Sequence, residues 1–133
     1  MLRGLSDELW NFIKKYIDSV EQLEILLLIY RNPTQGWTAS RISQEIRSSL
    51  SSTQNRLKSL VAANLIEANG NKSDETTYRY QNISNELHQR IVELEQQYKI
   101  RRVRVIDVIY APAAEKMMNF MDAFKIRKSD KDE

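Results

Sequence analysis

Residues 37–66 read WTASRISQEIRSSLSSTQNRLKSLVAANLI, and this stretch decides the fold. Thr38 caps a helix whose inner face is Ala39, Ile42 and Ile46, with Trp37 and Ile42 at the two positions of a hydrophobic staple. Arg47-Ser48-Ser49 makes a short turn. After the apolar Leu50, Ser51 opens the next helix, and Gln54 stands three residues on, the spacing of a capping box. Leu57, Leu60 and Val61 form the buried stripe of that helix, and Asn64 supplies a left-handed stop.

Working outward, Ser19 and Gln22 form a further capping box, ahead of a body from Leu23 to Tyr30 that is apolar nearly all round. Such a helix is central and buried. Asn32-Pro33-Thr34-Gln35-Gly36 ends it, because proline cannot continue the hydrogen-bond ladder. Still earlier, Ser6 caps a helix carrying Leu9, Trp10, Ile13, Tyr16 and Ile17 at helical spacing. Downstream, LIEA (65–68), NGNKSDE (69–75) and TTYRYQNI (76–83) read as strand, turn and strand, a β-hairpin with a long loop.

From Ser84 a long helix places Leu87, Ile91, Leu94 and Tyr98 on a coiled-coil-like seam. The seam meets Arg101 and resumes at Val105 and Val108 or Ile109. The run IRRVRVIDVIY (100–110) is rich in β-branched residues, but no turn precedes it, so the helix is expected to continue. After Pro112 a last helix shows Met117, Phe120, Met121 and Phe124 on one face. The tail SDKDE (129–133) reads as frayed.

Composition agrees with a mostly α chain bearing one small β-hairpin. Its 133 residues suit a single domain with a real core. Three glycines and two prolines are too few for a sandwich or barrel. The absence of cysteine excludes disulfides, thiolate metal sites and cysteine nucleophiles. The longest apolar run, Ile25 to Tyr30, is far short of the ~18–20 residues that span a bilayer. No secretory signal pattern opens the chain, so a cytoplasmic location without membrane contact is expected.

Three helices, a tight turn between the second and third, then a hairpin: this order is a winged helix-turn-helix. Residues 19–82 form its core, with 1–18 and 83–128 as flanking helices. Their apolar faces exceed what a module of that size covers, so dimerisation through them is expected. A helix about 10–12 Å across fits the major groove, about 12 Å wide, which makes double-stranded DNA the expected partner.

The span 19–82 resembles the winged-helix domain of MarR-like transcriptional regulators. The segments WTASRISQEI, NRLKSLVAANLI, YRY and YKIRRVRVIDVIYAP…FMDAFKIRK are similar to a group of small bacterial proteins loosely assigned to such regulators. The resemblance covers most of the chain. It implies a DNA-binding transcriptional regulator acting as a homodimer, and puts the recognition-helix positions on Ser52, Gln54, Asn55, Arg56, Lys58 and Ser59. Arginine pairs with guanine and Asn or Gln with adenine, so these side chains suit base reading. Ser51 and Thr53 near the helix start suit phosphate contact. In the wing, Lys72 and Arg79 are the candidate contacts, beside Asp74 and Glu75.

Charge keeps a second reading open, a winged-helix module that docks a protein without sequence-specific DNA binding. From 36 to 82 there are six basic residues against four acidic, a thin surplus for displacing counterions from a duplex. The densest positive cluster is Lys99, Arg101, Arg102 and Arg104, suited to phosphate or an acidic partner, or to pairing with Glu93, Glu95, Asp107 or a neighbouring subunit. An enzyme is not expected. His88 is the lone histidine, no glycine-rich phosphate loop exists, and no residue spacing suggests a metal or cofactor. A greasy crevice between subunits of such regulators could hold a small molecule.

Overall fold

The computed structural model describes residues 5–70, 76–81 and 84–112. Over them the chain forms six helices and one antiparallel hairpin. The helices are α1 (Asp7–Tyr16), α2 (Val20–Arg31), α3 (Ala39–Ile46), α4 (Leu50–Ala62), α5 (Asn85–Ile100) and α6 (Arg102–Ile109). The strands β1 (Ile66–Asn69) and β2 (Thr77–Tyr80) lie between α4 and α5 and pair in the register Ile66 to Tyr80 through Asn69 to Thr77. The stripe 117–124, the tail and the wing tip with Lys72 lie outside the described residues.

The expected caps at Ser6, Ser19 and Thr38 are all present, and Ser84 caps the helix expected from there, each side chain accepting from the amide three residues on. At Ser19 the box is offset by one residue: Gln22 Oε1 accepts from the amide of Asp18 at 2.7 Å. α2 is central, with Leu23, Ile25, Leu26, Leu27 and Ile29 fully buried. Asn32 ends it by donating from Nδ2 to the Leu28 carbonyl at 2.9 Å. α4 packs on α2 and α3, and the hairpin rests on α2 and the end of α4.

Two expectations are corrected. α4 is capped by Ser49, not Ser51. Arg47 takes a left-handed conformation (φ 60°, ψ 53°), and Ser48 N–H closes back on the Ser43 carbonyl at 2.9 Å. That tight stop brings the chain into position for a new helix two residues sooner than the capping-box pattern implied. The second correction concerns the long helix, which breaks at Arg101 (φ −135°, ψ 53°). The segment beyond is helical, as expected, but separate. Its β-branched residues resist simple propagation, and the break turns Val105, Val108 and Ile109 into the core, where α6 meets α1. Lys14 of α1 closes the end of α6, its Nζ donating to the carbonyls of Val108 (3.0 Å), Ile109 (3.3 Å) and Ala111 (2.7 Å). A cation there faces the negative end of the helix dipole.

The flanking helices therefore bury much of their apolar surface within the chain. Leu9, Trp10, Phe12 and Ile13 of α1 join Ile91, Leu94 and Tyr98 of α5 and the α6 residues in the same core that holds α2. Asn64 is left-handed (φ 64°), as its sequence position suggests, and Leu65 N–H returns to the Leu60 carbonyl at 3.1 Å to direct the chain into β1. Trp37, just ahead of α3, exchanges two backbone hydrogen bonds with Tyr78 of β2, at 3.0 and 2.7 Å. Gly36 sits so close that a Cβ there would lie 3.3 Å from Thr77 Cβ. Among the described residues, no helix is long and apolar enough to cross a membrane.

Candidate nucleic-acid interface

α4 presents three faces. Thr53, Leu57 and Leu60, at helical spacing, are fully buried. Ser51, Asn55, Lys58, Ser59 and Ala62 are exposed and line one edge. Ser52 and Arg56 lie between, half-buried, and turn toward α2, while Gln54 is half-buried with part of its surface open.

The ten positions expected to meet DNA are thus divided by the fold. Ser51, Asn55, Lys58 and Ser59 stand together on the open edge of α4. Thr53 is not on the surface at all, and its hydroxyl is buried without a hydrogen-bond partner among the described residues. Helical spacing explains this: Thr53 stands on the inward stripe with Leu57 and Leu60, at steps of four and three. Arg79 is exposed on β2 but donates to the Thr34 carbonyl at 3.1 Å, which ties the wing to the loop between α2 and α3.

Ser52 and Arg56 meet a residue that sequence reasoning missed, Glu21 in the first turn of α2. Ser52 Oγ donates to Glu21 Oε1 at 2.6 Å, Arg56 Nε donates to the same oxygen at 3.0 Å, and the Ser48 hydroxyl donates to Oε2. Burial pushes the Glu21 carboxyl up, but the hydrogen bonds from Ser48, Ser52 and Arg56, with the Arg56 charge, outweigh it. The net effect holds Glu21 below the usual carboxylate range. Nothing local in the sequence points to Glu21. The burial of Thr53 had a signal: it stands four and seven residues ahead of Leu57 and Leu60, on their inward face.

The basic cluster at the junction of α5 and α6 is largely spent on internal contacts. Lys99 Nζ approaches Glu95 at 3.8 Å, and Arg101 donates to the Gln97 side chain at 3.2 Å. Arg102 stacks over the Tyr98 ring at 4.5 Å and pairs with Glu24 of α2 at 3.2 Å. Of the expected partners, Glu95 takes part, while Glu93 is engaged by Ser6 (2.7 Å) and Arg90 (3.4 Å). Arg104 is exposed. Beside this cluster a cleft of about 400 Å³ opens between α2, the end of α3 and the α5–α6 junction, lined by the charged Glu24, Arg31, Glu45, Arg47, Lys99 and Arg102.

His88 packs with two tyrosines. Its Nδ1 and the Tyr80 hydroxyl are 2.7 Å apart, and both rings adjoin Tyr30. The role is packing between the wing and α5. Among the described residues no group of three or more His, Asp or Glu side chains is arranged to hold a metal ion.

Three helices with a tight turn, an exposed polar edge on the third and a hairpin beside it define a winged helix-turn-helix. In solved structures the chain is similar to MepR, a transcription regulator of the Staphylococcus aureus multidrug efflux pump MepA, and so to the MarR-like fold. The likeness has a TM-score of 0.53 at 12% identity and covers 90% of each chain. A mutant of S. aureus MepR bound to an oligodeoxyribonucleotide is similar at a TM-score of 0.50 and 13% identity, over 92% of this chain and 89% of that one. No family model matches the chain, and no curated protein matches it.

Proposed function

We propose that this chain is a cytoplasmic DNA-binding transcription regulator, not an enzyme, that acts as a homodimer. The observation that carries the reading is the open edge of α4. Ser51, Asn55, Lys58 and Ser59 lie along one side of the helix that a winged helix-turn-helix offers to the major groove. Asn55 has the donor–acceptor pair that suits adenine, Lys58 suits guanine or phosphate, and the serines suit phosphate or either base. Gln54 flanks this edge, Arg79 stands on β2, and Lys72, outside the described residues, is retained as a further candidate contact. The fold it shares with a regulator that binds an oligodeoxyribonucleotide supports the reading.

Dimerisation is assigned to the flanking helices. Ile100 and Val103, 67% and 69% exposed, flank the break at Arg101 and are the most exposed of the large apolar side chains described. Arg101 and Arg104 beside them suit phosphate or an acidic surface.

Selection of bound fragments from a genomic library, at low and physiological salt, tests the reading. An enriched sequence whose recovery falls in Asn55→Ala and Lys58→Ala is the expected result. Lys58→Ala should weaken binding to all sequences, whereas Asn55→Ala should relax preference at one position. No enrichment at either salt, with a protein partner captured instead, would replace it with the protein-docking reading.

A further inference from the structure

Arg56 is the one arginine of α4, and its charge is already answered within the chain. Glu21 accepts from Arg56, Ser52 and Ser48, so donors from α4 and from the turn before it converge on one carboxylate of α2. The Arg56 and Glu21 side chains are 34% and 19% exposed, so the pair sits at the surface edge beside the open face of α4. A guanidinium paired in this way adds no net charge to that face. It releases no counterion from a duplex, and its Nε is committed.

We infer that Glu21 sets the selectivity of α4 by withholding Arg56 and Ser52 from DNA, so that Ser51, Asn55, Lys58 and Ser59 form the reading edge. The inference rests on the DNA-binding reading. Arginine is the usual partner of guanine. An α4 with Arg56 held back is therefore biased away from guanine at the position Arg56 would face, and binds less salt-sensitively than its sequence implies. This makes Glu21 a specificity-determining residue that never touches the duplex.

The test is fluorescence anisotropy of the full chain with a random-sequence duplex and a guanine-rich one across a salt series. Wild type, Glu21→Gln, Arg56→Gln and the double variant are compared, with circular dichroism checking each fold. The inference predicts that Glu21→Gln binds several-fold tighter at low salt, with a salt slope steeper by about 1 and a new preference for the guanine-rich duplex. Arg56→Gln alone gains no guanine preference and binds more weakly, because it leaves the Glu21 carboxylate unpaired beside the duplex, and the double variant returns to wild type.

An unchanged or weaker Glu21→Gln, or a slope that falls by about 1 in the double variant, overturns the inference. Should Glu21→Gln not fold, the double variant, in which neither charge is left unpaired, decides alone: an unchanged slope supports, a reduced one overturns. Wild type that is folded yet bound to neither duplex at the lowest salt overturns the DNA-binding reading, and the inference with it. Wild type that binds with a slope steeper by about 1 than that of the double variant overturns the inference only.

Discussion

Arg31 at the end of α2 grips Glu95 of α5 with two hydrogen bonds of 2.8 Å, from its Nε and from a terminal nitrogen. The fork matches the carboxylate, and the contact joins segments 64 residues apart. Together with the Glu24 carboxylate, which accepts from the Tyr98 hydroxyl at 3.0 Å and pairs with Arg102, it fastens the central helix of the winged module to the helices behind it.

Because Arg31 is partly exposed, the pair should contribute modestly. Arg31→Met and Glu95→Gln in a double-mutant cycle should show a coupling of about 0.5–1 kcal/mol in urea unfolding, shrinking at high salt. A coupling of zero at low salt would make the contact incidental.

The position of the α4 cap has a direct measure. Ser49→Ala removes the acceptor for the Ser52 amide and should cost about 1 kcal/mol. Ser51→Ala, one turn position inside the helix, should lie within about 0.5 kcal/mol of wild type. The reverse order in thermal melts would restore the start at Ser51.

Thr53 carries a buried hydroxyl with no hydrogen-bond partner among the described residues. Thr53→Val keeps the shape and removes that desolvated group, so stability should hold or rise by up to about 1 kcal/mol. DNA affinity should be unchanged, because the side chain is fully buried. A marked loss of stability would reveal a bond that the hydroxyl makes.

Alkali should loosen the fold through two tyrosines. Tyr98 is pushed up to about 12 by burial first, then by the hydrogen bond to Glu24 and its charge, against Arg102 and Arg31. Tyr80 is pushed up to about 12 by burial and then by Tyr30. Unfolded tyrosine ionises near pH 10. The folded state holds these protons longer, so their contribution is complete below about pH 10 and is lost as pH rises toward about 12. Denaturant melts across this window should show the decline, and Tyr80→Phe with Tyr98→Phe should flatten it. An equally steep fall in that double variant would place the cause elsewhere.

Much of this architecture was readable from local chemistry. Ser6, Ser19, Thr38 and Ser84 announce their helices because a cap is a bond to an amide three residues away. Asn64 announces its turn because few other residues accept a positive φ. The Arg47 turn was less visible, since arginine carries no such preference and α3 stops where packing on α4 demands it. The break at Arg101 was hidden for a similar reason. It answers to α1, whose Lys14 and apolar face lie far away in sequence. At the candidate site, the polar edge of α4 followed from the spacing of Leu57 and Leu60. The fate of Arg56 did not, because Glu21 lies 35 residues earlier and only the packing of α2 on α4 brings them together.

The stitch between Trp37 and Tyr78 has a mechanical consequence. With two backbone bonds joining the start of α3 to the wing, and Gly36 leaving no slack beside Thr77, neither part can swing without the other. The module is a caliper with its jaws set, not a hand that closes. On the proposed DNA-binding reading, the curvature must then come from the duplex, and sequences that bend easily are expected to bind better even at base pairs the protein never reaches.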